Sequence, residues 1–414
     1  MRVLIIGYVW PEPNSSAAGS RMLALINCFR TEAWAVTFAS PAALGDHSVD
    51  LAELGVNSQN IALNCSSFDE FILALQPDTV LFDRFMMEEQ FGWRVEKACP
   101  DALRILDTED LHCLRDARHQ AHKQQRDFCI NDLSSELNRD MALREVAAIL
   151  RCDFSLMISR YEMQLLQGHF KVDATLLHYC PFMLDLTDAV KPVPNHERRQ
   201  HFIAIGNFRH APNWDSVLWL SSEIWPLIRK QLPKSELHIF GAYPPKKATD
   251  LHNPSKGFHV LGWAENALEV MSAARVCLAP LRFGAGIKGK LADAMLCGTP
   301  SVTTAIGAES MWLNDQSEWC GEVAETAVDI ANAAVRLYQH KARWQAAQSI
   351  GTATLSQHYD SRQVGRVLLQ KIHACRAGLA VHRRNNFTGA MLRHHHHRST
   401  QFMSQWIEEK NRHQ

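Results

Sequence analysis

The 414-residue sequence has no run of about 18 uninterrupted apolar residues, so nothing in it reads as a membrane-spanning helix. Its opening, Met1 to Pro13, holds a short apolar run without a small-residue cleavage site, and reads as a first strand instead of a secretory leader. Neither charge is in excess: 43 Lys and Arg stand against 44 Asp and Glu, which leaves no overall field to hold nucleic acid. None of the 11 cysteines forms a Cys-x-x-Cys pair, and there is no dense disulfide framework. Most cysteines, such as Cys180, Cys277 and Cys297, sit in apolar runs, as buried thiols of a reducing compartment do; a cytoplasmic chain is the expectation. Asp-x-Asp and His-Glu-x-x-His motifs are missing as well, so no catalytic metal is expected. The run His394–His397 is internal, and we treat it as native sequence.

What is present centres on Val276–Met311. A short apolar run, Val276–Leu281, is long enough only for a buried strand. A turn with Gly284, Gly286 and Gly289 around Lys288 follows. Leu291, Ala294 and Met295 then recur at helical spacing until Gly298, and a second apolar strand spans Ser301–Ile306. Strand, glycine turn, helix and strand make a βαβ unit, whose turn lies where open sheets bind ligands. A helix start offers free N–H groups and partial positive charge to a phosphate, and Lys288 and Lys290 add full charges. Asp293, one turn in, is placed to accept hydrogen bonds from sugar hydroxyls. The alternative is an ordinary strand–helix connection with its lysines in water.

The same alternation runs along the whole chain. Apolar runs at Arg2–Tyr8, Ala35–Ser40, Thr79–Asp83, Arg104–Asp107, Phe154–Ser159 and Leu176–Tyr179 read as strands, with helical patterns between them. A lapse at 185–200, with Pro192, Pro194 and the charged run Glu197–Arg199, reads as a linker. The pattern then restarts at His201–Phe208, Leu237–Gly241, His259–Gly262, Val276–Leu281 and Ser301–Ile306, with a helix expected over Trp214–Leu232. The prediction is therefore α/β: two doubly wound parallel-sheet domains, 1–184 and 201–375, followed by a tail, 376–414, with a short final helix. In such sheets chemistry gathers at the carboxyl ends of the strands. There stand Asp107-Thr108-Glu109-Asp110-Leu111-His112, where helix capping competes with function for the acids and His112 is the stronger functional candidate. Ser159 and Glu162 open a helix at another strand end, where capping explains them nearly as well. Gly206-Asn207 with Arg209 falls on the phosphate side of the second domain. The polar, basic stretch Leu114–Arg126 reads as a solvated helix or loop, with an anionic acceptor or the inner face of a membrane as the weaker option.

These segments resemble the GT-B-fold glycosyltransferases, in particular the large retaining group 1 family that uses nucleotide sugars. PLRFGAGIKGKLADAMLCGTPSVTT, with Glu309 after it, is similar to that family's strand–glycine loop–"EAMA.G.PVV" signature. IGNFRHAPNWDSV and LHIFGAYP resemble the start and the second strand of the family's second domain; YVWPEPNSSAAGSRM and DTEDLHCLR resemble its entry loop and acceptor-side histidine segment. The resemblance implies two Rossmann-like domains facing across a cleft and transfer of a sugar from a nucleoside diphosphate to a hydroxyl, with retention, as in bacterial surface glycan synthesis. It places His112 by the donor sugar and Lys288 on the diphosphate as catalytic residues. Gly19, Gly206, Asn207, Arg209, Arg282, Gly284, Gly286, Ile287, Asp293 and Glu309 become donor-side residues, and Asp110, Ser159 and Glu162 acceptor-side ones. Asp293 stands for the second Glu of a Glu-x7-Glu pair; Ala285 stands where the first would be. The implied partners are a nucleotide sugar and a hydroxyl acceptor, glycan or lipid-linked saccharide, with no cofactor. A nucleotide-sugar 2-epimerase and a non-catalytic nucleotide-sugar-binding subunit are the alternatives.

Overall fold

A computed structural model describes residues 1–130, 137, 139–186, 194–313 and 318–412. The first domain is a seven-stranded sheet: β1 (Arg2–Ile6), β2 (Ala35–Ser40), β3 (Asn57–Asn60), β4 (Thr79–Asp83), β5 (Leu103–Asp107), β6 (Phe154–Met157) and β7 (Leu177–Tyr179), in the order β3-β2-β1-β4-β5-β6-β7. The second is six-stranded: β8 (Gln200–Ile205), β9 (Leu237–Phe240), β10 (Phe258–Gly262), β11 (Ala274–Ala279), β12 (Ser301–Thr303) and β13 (Gly321–Val323), in the order β10-β9-β8-β11-β12-β13. Every strand pair is parallel. Every residue of β4 and β5 is buried, because helices cover both sheet faces and no polar alternation is needed. The strand order reverses between β1 and β4 in one sheet and between β8 and β11 in the other. Each reversal opens a crevice at the carboxyl ends of those strands.

Sequence and structure part at several places. The strand expected over Ser301–Ile306 stops at Thr303, because the Thr304 hydroxyl accepts the Gly307 N–H at 3.1 Å and starts the short helix Ala305–Ala308. The helix expected over Trp214–Leu232 runs from Ala211 to Gln231 with a π turn at Leu220–Ile224; Pro226, which has no N–H for the ladder, follows at once. Strand β3 is Asn-Ser-Gln-Asn, fully exposed, and carries no apolar signal. Leu114–Arg126 is not solvated: the helix His112–Lys123 buries Cys113, Leu114, Ala117, Arg118 and Ala121. Of the linker, residues 187–193 lie outside the described residues. Its end is anchored, since the buried Arg199 guanidinium donates to Thr299 Oγ1 at 2.5 Å and to Cys297 O at 2.6 Å.

The tail is two helices that meet at Asn386: Leu379–Asn385 is followed by Phe387–Arg412, 26 residues where a short final helix is expected. It returns to the first domain and packs on the helices Phe85–Ala98 and Asp140–Arg151. Arg94 donates to Ser404 Oγ at 3.1 Å, and Arg393 to the Arg151 carbonyl at 3.1 Å. No described helix is long and apolar enough to cross a membrane.

Candidate active site

The loop after β11 carries the glycine turn into the helix Gly289–Leu296, with Lys288 at the cap position. Lys288 is buried, and its Nζ donates to the Gly286 carbonyl at 2.5 Å. Lys290 is half-buried and turned inward, not out to solvent: its Nζ donates to Asn213 Oδ1 at 2.7 Å, beside Gly206. Burial pulls both amines down to about 8. The main-chain N–H groups of Gly289 and Lys290 make no hydrogen bond among the described residues. A Cβ on Gly206 would lie 2.8 Å from Lys290 Nζ, so a glycine there leaves the amine its place. Asp293 is half-buried, its carboxylate has no hydrogen-bond partner among the described residues, and burial pushes it up to about 7.

The first domain closes on this turn. Gly286 has φ +64° and packs against Asp110, where a Cβ would come within 2.8 Å of the Asp110 side chain. Its N–H donates to Glu162 Oε1 at 2.7 Å, and the same oxygen accepts the Leu111 N–H at 3.0 Å. Arg118 crosses the gap to Glu309 in a bidentate pair at 3.0 and 2.6 Å, and donates to the Gly284 carbonyl at 2.9 Å. Ser159 and Ser310 share a 3.0 Å hydrogen bond. At the other end of the crevice, Trp263 Nε1 donates to the Asn14 carbonyl at 3.1 Å, and the Tyr243 hydroxyl reaches the Glu12 carboxylate at 3.1 Å.

On the first-domain side, the His112 ring lies 3.7 Å from Asp110 and edge-on to Phe85; burial lowers its pKa to about 4, so the imidazole is neutral. Burial works against a charged Asp110, but the Arg115 guanidinium overcomes it and holds the carboxyl well below the usual range. Beside them the buried Asp83 and Asp107 and the half-buried Glu109 form an acidic group around Arg21. Asp83 and Arg84 line a small cavity with Trp10, Glu12, Ser16 and Gly19. Glu109 has φ +61° and a buried oxygen without a hydrogen bond among the described residues; burial and Asp107 raise it to about 8. Such a group can exchange a proton near neutrality.

Residues 199–340 match the family model described as "Glycosyl transferases group 1". The second domain is a group 1 glycosyltransferase domain. Solved structures share the two-domain fold across the chain. Sucrose-phosphate synthase from Thermosynechococcus elongatus is 15% identical with a TM-score of 0.68, over 91% of this chain and 100% of that one. Anabaena HepE in complex with UDP and glucose is 13% identical with a TM-score of 0.66, over 90% and 99%. WaaG, a glycosyltransferase involved in lipopolysaccharide biosynthesis, is 13% identical with a TM-score of 0.61, over 88% and 98%. No curated protein sequence matches the chain. The fold is GT-B.

The structure gathers Lys288, Gly284, Gly286, Ile287, Asp110, Glu162 and Glu309 at one seam between the domains. Other predicted residues are engaged locally. Arg282 is paired with Asp215 at 2.6 Å, Arg209 lies 3.6 Å over the Tyr243 ring, and the Asn207 Oδ1 accepts the Arg209 N–H at 2.8 Å. Gly19 is a glycine because Glu12 main chain lies 2.4 Å from where its Cβ would be. Ala285 is packed into the first domain's hydrophobic core, which accounts for an apolar residue there. Arg118, Asn213 and Arg21 were missed: each acts through a partner far along the chain, and local pattern does not register that.

Glu162 is fully buried, and burial followed by the Asp110 charge raises its pKa to about 8. Between its ordinary 4.5 and about 8 the folded chain keeps a proton that the unfolded chain has lost, so this group makes stability fall as pH rises across that window. Glu162→Gln keeps an acceptor for Gly286 and Leu111 and removes the titration. The variant's unfolding free energy is expected to drop less than the wild type's over that window in urea melts; matching slopes would remove Glu162 from the account.

Proposed function

We propose that this glycosyltransferase moves a sugar from a nucleoside diphosphate to a hydroxyl acceptor with retention at the anomeric carbon, in the assembly of a bacterial surface glycan. The observation that carries the reading is the start of the helix Gly289–Leu296: two main-chain N–H groups without partners among the described residues, beside one buried and one half-buried lysine. Burying ammonium groups without a carboxylate of their own costs stability, and a bound diphosphate offsets it. As the glycosidic bond to the donor breaks, negative charge collects on the leaving diphosphate, and donors already fixed in place stabilise it without reorganising. Asp293 accepts from the nucleotide ribose. The neutral His112 hydrogen-bonds the donor sugar, and Glu109, in its ionised form, takes the proton of the incoming hydroxyl and becomes the neutral acid that its burial favours. Closure of the domains excludes water that would hydrolyse the donor.

HepE was solved with UDP and with UDP-glucose, which makes these the first ligands to test. Because both lysines lose their charge as pH passes about 8, affinity for UDP or its counterpart nucleoside diphosphate is expected to fall as the pH rises through that value. Calorimetric titration on either side decides it; an affinity that holds or increases puts the diphosphate elsewhere.

A further inference from the structure

At the amino ends of β8, β9 and β10, on the side of the second sheet away from the crevice, lies a cluster that sugar transfer does not use. Glu236 immediately precedes β9, His238 is its second residue, and His259 is its register partner in β10. Residues 236 and 238 share a face because strand side chains alternate, and register puts His259 on the same face. His238 Nε2 is 2.9 Å from Glu236 Oε2, and His259 Nε2 is 3.8 Å from that same oxygen. The three ligand atoms lie within 4.8 Å of one another, and no other such group of three occurs among the described residues.

We propose that Glu236, His238 and His259 bind a divalent transition cation, with Zn2+ the best fit. Zinc–ligand bonds of about 2.0–2.2 Å in a tetrahedron put neighbouring ligand atoms about 3.3 Å apart, between the two spacings seen here. Two imidazoles and a carboxylate are a borderline nitrogen–oxygen set, which suits zinc better than magnesium or calcium. His259 Nε2 is shielded from solvent and has no hydrogen-bond partner among the described residues, the condition of a ligand atom waiting for its ion. The rings are also held in place. His201 stacks on His238 at 4.0 Å and 18°, and does so from a left-handed backbone, φ +45°. His252 meets His259 edge-on, its own Nδ1 engaged with Val260. The Glu236 side chain is 51% exposed, so water can reach a fourth position. Strand polarity separates this site from the crevice, so the metal staples the outer strand β10 to β9 and takes no part in transfer.

The exposed His394 and His395 could bind zinc on their own, so the test uses the full chain carrying H394Q and H395Q, stripped with a chelator and titrated with zinc chloride in a calorimeter. One equivalent should bind and raise the melting temperature. E236Q and H259Q should each weaken binding at least about tenfold, the low end of what even outer-shell changes cost a metal site. Absence of saturable binding, or an unchanged affinity in E236Q and H259Q, overturns the site. Should H259Q melt early without metal, E236Q decides, since its half-exposed side chain contributes little packing.

Discussion

Lys288→Ala should lower the rate of sugar transfer by roughly 10²–10³, the usual loss for one preorganised donor at a site of developing negative charge. The size of the effect follows from the absence of a substitute. Lys288 Nζ is held at the turn by the Gly286 carbonyl, while Arg118 is committed to Glu309 and the Gly284 carbonyl and Lys290 to Asn213. Water cannot take over readily, because the residue is buried. Lys290→Ala should cost less, since Lys290 shares its position with the Asn213 amide. Single-turnover rates and calorimetric affinities for nucleoside diphosphates measure both. A Lys288→Ala enzyme that keeps its rate and its affinity for every nucleoside diphosphate would put the phosphates somewhere else.

Arg21→Leu should cost roughly 3–5 kcal/mol of folding free energy, the range for removing one partner of a buried ion pair. Neither side chain of the Arg21–Asp107 pair has any exposure. The guanidinium bonds both Asp107 oxygens at 2.9–3.2 Å and donates to the carbonyls of Cys180 and Pro181 at 2.7 and 3.0 Å. It thus ties the helix Ala17–Thr31 to the ends of β5 and β7. Without it Asp107 is left buried beside Asp83 and Glu109 with no cation of its own. Urea unfolding of the single variant measures the loss. The double variant Arg21→Leu, Asp107→Leu should recover part of it, because the worst consequence, an unpaired buried charge, is then gone. Equal stability of the single variant and the wild type would mean that the pair contributes nothing.

The sheet was legible because its physics is local. Strands covered on both faces must be continuous apolar runs, and Arg2–Ile6, Thr79–Asp83 and Ala274–Ala279 are nearly that. The glycine turn around Lys288 was legible for the same reason: a backbone pressed against Asp110 at positive φ admits little but glycine. What stayed hidden is non-local. Arg118 pairs with Glu309 across 191 positions, and nothing near either residue announces the other. Its stretch looked solvated because Arg115, His119, His122 and Lys123 outnumber the apolar residues. The buried face shows only when Leu114, Ala117 and Ala121 are read at helical spacing. β3 is silent because an exposed polar edge strand is held by main-chain pairing alone. The metal-type cluster is likewise a product of register: 21 positions separate His238 from His259, and only β9–β10 pairing sets them side by side.

The long helix Phe387–Arg412 bears on how this protein is born. It covers surfaces of the helices Phe85–Ala98 and Asp140–Arg151, and its His397 pairs with Glu96 across 301 positions. A nascent amino-terminal lobe therefore leaves the ribosome with Arg94, Glu96 and Arg151 uncovered, and they wait while the entire second lobe is translated. The expected order of maturation is interleaved, the second lobe complete before the first is sealed, and a chaperone should hold its client longest on that open flank.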